Sequence, residues 1–270
     1  MNSLGTLFGR QFKDQRWALL MYVLAGVAFL WIMVAVYPSI SKEADQFNQL
    51  MKNLPASFLK AFDVQDNALS TFEGFVALRY FAIVWPIMLI LLAISLASRS
   101  PAGDIDRGTI ELLLARPVSR LKLFASRWLF GAFGVLGFTG LSILAVVPLA
   151  KLYGVALQFD RYLLLLVIAG FFGLALYALA LMVSSIASNP GKVSMMIGGL
   201  LVVMYFLNIL ALIKDSLDTL KYLSFFYYFD YQGALNDGAI NGTSVAVFSG
   251  VIIVSTVVGA VAWKKRDVSA

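Results

Sequence analysis

The chain of 270 residues contains no cysteine and no histidine. These absences exclude disulfides, thiolate nucleophiles, imidazole bases, zinc fingers, haem thioethers and Cys-ligated iron–sulfur clusters. Only carboxylate sites for hard cations such as Mg²⁺ or Ca²⁺ are left open. Charge is scarce as well. Asp, Glu, Lys and Arg make up 13% of the residues and hydrophobic residues 60%, whereas a soluble domain carries about 25% and 45–50% respectively. With 21 phenylalanines against 15 acidic residues, there is too little polar surface to coat a globule, and mean hydropathy is +0.84. This is the composition of an integral membrane protein.

A bilayer core of about 30 Å requires about 20 apolar residues of helix. Six blocks meet that length: Trp17–Tyr37, Phe75–Ala97, Trp128–Ala150, Tyr162–Ile186, Val193–Ile213 and Thr243–Trp263. They are apolar all round instead of alternating, so helices are expected and not barrel strands. The expected fold is all-α, a single transmembrane domain over residues 1–270 with six spans. Pro38 is expected to stop the first helix, and Pro86 and Pro148 to kink the second and third. The first block is too long and too aromatic for a cleaved signal segment and is read as a retained span.

Lys and Arg are distributed asymmetrically between the spans. With the N-terminus inside, the inner segments hold 13 basic and five acidic residues, and the outer ones eight basic and ten acidic. The positive-inside rule then places both termini in the cytoplasm of a multi-pass cell-membrane (inner or plasma membrane) protein, with 38–74 outside and 98–127 inside. The net charge of +6 is thereby topogenic, and no nucleic-acid partner is expected. Phe47, Leu50, Met51, Leu54, Phe58, Leu59 and Phe62 in the outer segment recur at helical spacing around Pro55. That pattern suits an amphipathic helix at the membrane surface or a plain hairpin.

The span interiors carry no Asp, Glu, Lys or Arg, as an ion relay would need. Arg79 and Arg161 sit at outer span ends, where they can snorkel. Asn208 is expected to make an interhelical hydrogen bond. Gly131, Gly134, Gly137 and Gly140 recur every third residue, so they spiral around half of the third span and serve close packing, not one GxxxG stripe.

The inner segment SRSPAGDIDRGTIELLLARPVSRLKLFASR carries the sharpest signal. Asp104 and Asp106 precede a short leucine-rich helix over Thr109–Ala115. Pro117-Val118-Ser119-Arg120 then turns the chain into a second helix that continues as the third span. Arg107, Glu111 and Arg116 give this elbow a charged face.

Gly108, Thr109, Glu111, Leu112, Leu113, Leu114, Pro117, Val118, Ser119 and Arg120 resemble the cytoplasmic loop of permeases of the ATP-binding cassette type 2 transporter family, the type V exporter fold. Asp104 and Asp106 stand where that family more often has Glu, and Arg107 where a further acidic residue is common. The start (Phe8, Arg10, Phe12, Lys13, Arg16) is similar to the family's amphipathic elbow helix. Leu220–Asp230 resembles the aromatic segment before its last span, without a proline often found there. The end, Trp263-Lys264-Lys265-Arg266-Asp267-Val268, resembles its closing basic-Arg-Asp signature. The resemblance covers the whole chain.

It implies a permease subunit of an ATP-driven exporter without a catalytic site or cofactor of its own. A second permease protomer, identical or paralogous, would complete the path within the membrane lipids. Separate cytoplasmic ATPase subunits would bind ATP and Mg²⁺, and no G-x-x-x-x-G-K-[ST] phosphate loop occurs in this chain. The ATPase-coupling residues implied are Asp104, Asp106, Gly108, Thr109, Glu111, Arg116, Pro117 and Arg120. An ion-coupled carrier or channel and a membrane scaffold are the alternatives. Exporters of drugs, peptides, lipids, polysaccharides and sodium share this architecture, so the resemblance names no substrate.

Overall fold

The structure, a computed structural model, describes residues 4–43, 71–99, 101–108 and 119–266. The outer amphipathic stretch around Phe47–Phe62 lies outside the described residues. Ten α-helices, with 3-10 and π turns, make up the described chain. They are α1 Leu4–Ile40, α2 Phe72–Val76, α3 Val84–Ser98, α4 Ala102–Asp106, α5 Arg120–Leu144, α6 Val146–Tyr153, α7 Phe159–Ile186, α8 Pro190–Ile213, α9 Phe225–Tyr228 and α10 Gly242–Lys265. No strand occurs among the described residues. Among the described residues five helices are long and apolar enough to cross a membrane, six where the bent pair Phe72–Phe81 and Val84–Ser98 is counted as one span. The protein is an all-α polytopic membrane protein.

Local chemistry sets the starts and breaks. The Ser119 hydroxyl accepts from the Lys122 N–H at 3.3 Å, and the Asn189 amide oxygen from the Lys192 N–H at 2.9 Å. Both are N-caps, and Pro190 follows as the first residue of α8. The second span bends by 43° where a π turn, Ala77–Phe81, meets α3. Pro86 lies four residues after Ala82 and can donate nothing to its carbonyl. Pro148 stands in the same relation to Leu144, the last residue of α5, so both expected interruptions are present. Pro38 behaves differently. It lies inside the last turn of α1, which continues to Ile40 instead of stopping before it. The amphipathic start is helical too, but runs unbroken from Leu4 into the first span, making one helix of 37 residues instead of an elbow and a separate span. At 1.5 Å per residue this reaches roughly 55 Å, well beyond the hydrocarbon thickness.

Helix α7 is the centre of the bundle. It packs against α10, α5, α3 and α8, and 61% of its apolar window is buried, against 22% for α1 and 17% each for α8 and α10. An aromatic stack locks the middle: Trp85 lies 6.0 Å from Phe138 and 5.7 Å from Phe229, which lies 4.6 Å from Phe172. Three buried aromatic side chains, Trp85, Tyr80 and Tyr177, find hydrogen-bond partners within the bundle, which offsets the cost of desolvating their polar atoms. Trp85 Nε1 donates to Ser142 Oγ at 2.9 Å, Tyr80 Oη to the Gly26 carbonyl at 2.9 Å, and Tyr177 Oη to the Arg127 carbonyl at 2.7 Å.

Of the four spiralling glycines, two serve packing inside the protomer. A Cβ on Gly131 would fall inside the Tyr177 ring, and one on Gly134 would come within 2.9 Å of Leu96 Cδ1. Gly137 and Gly140 have nothing within 4 Å of such an atom. We therefore expect Gly131→Ala to lower stability by about 1–3 kcal/mol through overpacking. Gly140→Ala, at an open helical position, should be neutral or stabilising by up to about 1 kcal/mol. Thermal unfolding of the purified variants distinguishes the two. Equal melting of both would contradict the Tyr177 contact.

Candidate functional site

Two features stand out, a polar junction at one end of the bundle and a pair of chambers between helices. The junction begins where α3 ends. The chain turns at residues 99–101 into the five-residue helix α4, and Gly108 follows it with φ +65, the left-handed conformation that ends helices. Asp104 of α4 points into the bundle and is buried. Its Oδ2 lies 2.6 Å from Arg127 Nη2 on α5 and its Oδ1 3.3 Å from Arg107. Ala102 N donates to Ser184 Oγ on α7 at 3.2 Å. A Cβ on Gly103 would come within 3.1 Å of the Ser98 carbonyl and 3.5 Å of Pro190 Cγ. One short helix thus touches the foot of α3, the start of α8, and the α5 and α7 helices.

The last residue before the end of the described chain, Arg266, closes the same junction. Its Nη1 donates to the carbonyls of Ser185 at 3.0 Å and Ala187 at 2.8 Å, and its Nη2 to Ser188 Oγ at 3.2 Å. These are among the last carbonyls of α7, where a cation also complements the helix dipole. Partial desolvation pulls the Arg266 pKa below its ordinary value. Arg120 donates to the Arg266 carbonyl, and Trp263 Nε1 donates to the Arg120 carbonyl at 3.0 Å. The start of α5 and the end of α10 are stitched together through backbone groups.

Of the residues read from sequence as the coupling set, Asp104, Asp106, Gly108 and Arg120 are described. Thr109, Glu111, Arg116 and Pro117 lie outside the described residues. Asp104 faces inward as an ion-pair partner, Asp106 and Gly108 are exposed, and Arg120 is half-buried. A single helix from Asp104 into the leucine run is excluded by the positive φ at Gly108. The same conformation, and not a close neighbour, explains the glycine, since nothing lies within 4 Å of a Cβ there. Sequence reasoning treated Arg127 as one more topogenic cation and missed its burial. Glu73 was missed too: it is buried at the far end of α7, where its Oε1 accepts from the Gln158 N–H at 2.9 Å. Arg161, expected to snorkel, instead donates to the carbonyls of Leu235 and Asn236.

The larger chamber, about 800 Å³, lies between α3 and α8 and includes Tyr22 of α1. Ile87, Ile90, Ile94, Leu201 and Phe206 line it, with Ser95, Ser98 and Ser194 at its junction end. A second chamber of about 310 Å³ continues toward the opposite end, among Asn208, Tyr227, Asp230 and Gln232. Ala82, Ile83, Tyr205 and Phe226 line both. The rings of Tyr205 and Phe226 meet edge to face at 5.2 Å, forming the neck between the chambers. Asn208 faces the smaller chamber, and no interhelical hydrogen bond to it occurs among the described residues, contrary to expectation. The described residues bring together no three Asp or Glu side chains able to hold a metal ion.

Comparison with known proteins decides the family. The model of the ABC-2 family transporter protein matches residues 7–268. The chain belongs to the ABC-2 transporter family. No curated protein matches it. As an ABC-2 permease it is the transmembrane subunit of an ABC transporter, and the match runs through both halves of the junction, Asp104–Arg127 and Arg266.

For this permease the buried pair yields a double-mutant test. Removing one member of a buried ion pair costs about 3–5 kcal/mol, whereas replacing both by apolar groups is often neutral. Asp104→Leu and Arg127→Met should each lower the melting temperature sharply, and the double variant should recover most of the loss. Additive losses in the double variant would show that the two charges are not coupled.

Proposed function

We propose that the chain is the permease of an ATP-driven exporter, with the two chambers as half of its substrate path and the junction around α4 as its point of force transmission. The observation that carries this reading is the seat of α4. It rests on Ser98, at the foot of one chamber wall, and on Pro190, at the start of the other, and its Asp104 is paired to α5. A displacement of α4 therefore moves both walls together. Separate cytoplasmic ATPase subunits dock at residues 109–118, where Glu111 makes a charge-assisted contact, while Gly108 and Pro117 set the turns on either side. Hydrolysis of ATP with Mg²⁺ takes place on those partners. Both termini face the cytoplasm, which supplies the charge asymmetry of the sequence with its reason.

Glu111→Ala should leave insertion and abundance near normal but reduce the ATPase that co-purifies in mild detergent. A hydrogen bond to a charged group contributes about 1.5–3 kcal/mol, whereas a solvated residue would give a change within about 0.5 kcal/mol. Gly108→Leu should be worse, since a bulky residue cannot hold the positive φ cheaply and, by leaving it, would redirect the whole docking segment instead of removing one contact. Normal ATPase recovery and transport in both variants would move the transmission point elsewhere, to the start of α1.

A second permease protomer completes the path, and the open side of the larger chamber supports it: Ile87, Leu91, Val202 and Phe206 line that chamber yet are 49%, 53%, 55% and 60% exposed in the single chain. Because the chain lacks cysteine, one cysteine series tests both orientation and pairing. A cysteine at Ser119 should resist an impermeant maleimide in intact cells. Cysteines at Met196, Gly199, Val203 and Phe206 should crosslink two protomers, whereas one at the buried Leu201 should not. Labelling at 119 from outside would reverse the topology, and crosslinking without periodicity would reject the α8 interface.

A further inference from the structure

We infer that the path selects amphipathic organic cations, whose apolar body occupies the larger chamber and whose charge is received in the smaller one by Asp230 and the rings around it. This rests on the reading of the two chambers as the transport path. The larger chamber is walled by aliphatic and aromatic side chains with a few Ser and Tyr hydroxyls, and offers no counter-ion to a charge of either sign. The smaller chamber differs in kind. Asp230 lines it together with Tyr205, Phe226, Tyr227, Phe229 and Tyr231. A carboxylate among aromatic rings is the arrangement that recognises alkylammonium and related organic cations, because ring faces carry negative charge density and do not need hydrogen bonds from the guest.

The surrounding cations do not cancel it. No Lys or Arg among the described residues lines either chamber. Lys221, in the preceding segment, is tied to Asp218 at 2.8 Å and lies 5.3 Å from the ring centres of Tyr222 and Tyr227, outside the lining. Arg161 is engaged by the carbonyls of Leu235 and Asn236, and Arg79 is exposed. The Asp230 carboxylate is held in place by the backbone: its Oδ1 accepts from the Gly233 N–H at 2.7 Å. A Cβ on Gly233 would collide with that carboxylate. One backbone donor positions the group without neutralising it. An anion entering the smaller chamber would meet Asp230 with no compensating charge, whereas a cation gains the carboxylate and the rings of Tyr205, Phe226 and Tyr231, since Phe229 is stacked on both faces and Tyr227 already faces Lys221. The shared neck at Ala82, Ile83, Tyr205 and Phe226 lets one molecule place its two ends in the two environments.

The test uses the purified full chain in nanodiscs of neutral lipid, with empty nanodiscs subtracted, and three bulky probes: tetraphenylphosphonium (cation), tetraphenylborate (anion) and triphenylphosphine oxide (neutral). Radiolabelled tetraphenylphosphonium should bind saturably. Asp230→Asn, which keeps an acceptor for Gly233, should weaken it about tenfold, the effect of losing about 1.4 kcal/mol of charge–charge attraction while the rings remain. Asp230→Glu should retain most of the affinity, and Asp14→Asn, exposed on α1 and remote from both chambers, all of it. Tetraphenylborate should compete poorly with wild type and better with Asp230→Asn, while the neutral probe responds to neither carboxylate variant. Unchanged tetraphenylphosphonium affinity in Asp230→Asn overturns the cation selection. If Tyr205→Ala then still weakens all three probes alike, the chambers remain the path. If no probe binds saturably, or Tyr205→Ala alters none, the path reading falls with it.

Discussion

The bundle is organised around helix α7, a 28-residue helix buried among four others, each end of which is met by a charged side chain from a remote position. Each helix terminus leaves backbone groups unpaired, positive in sense at the start and negative at the end. The chain answers with opposite charges from remote positions. Glu73 reaches the Gln158 N–H at the start, and Arg266 takes the Ser185 and Ala187 carbonyls at the end. Each cap also fixes another element: Glu73 brings α2 to the head of α7, and Arg266 brings the end of α10 to its foot. Removing either charge would expose backbone groups and also detach a neighbour.

Around that axis the other helices divide by what they bury. The stack of Trp85, Phe138, Phe229 and Phe172 joins α3, α5, α7 and the segment after α9. This leaves α1, α8 and α10 with most of their apolar surface outward. In a membrane an outward apolar face needs no cover, because lipid tails are as apolar as leucine. The larger chamber is a groove between α3 and α8, open on the side where Ile87 and Phe206 are exposed, with isoleucines on one wall and Leu201 and Phe206 on the other.

How much of this could be read from the residues follows from the physics of each feature. The all-α polytopic character was legible because hydropathy is a sum over about 20 residues. The breaks at Pro86 and Pro148 were legible because a missing N–H is a local property. Pro38 failed by the same principle: near a helix end its lost hydrogen bond is easily tolerated, so α1 runs through it. The elbow was legible as a helix but not as part of α1, since amphipathic and wholly apolar stretches differ in what they face and not in backbone. Arg127 and Glu73 could not be read at all. Both flank spans, where charges are ordinarily solvated, and only the fold brings Asp104 to the one and Gln158 to the other. Gly131 and Gly140 look identical in sequence, yet only the first meets a Tyr177 ring.

The same distinction bears on why the junction is ionic. A desolvated pair such as Asp104 and Arg127 gains little net stability over apolar groups of equal volume, because desolvation offsets most of the attraction. What the pair supplies is a steep cost for separation, since pulling α4 from α5 would strand two charges in a low-dielectric site. An apolar contact would tolerate sliding, because its energy depends on area and not on direction. The ion pair, with Ala102 N on Ser184 Oγ, resists both sliding and separation. Gly108 in the left-handed conformation ends this fixed unit immediately beyond α4. On the proposed reading, a push delivered past Gly108 would be received by a five-residue helix tied to α5 by its ion pair and to α7 by its backbone. It would bear on Ser98 and Pro190, the two residues against which Gly103 packs.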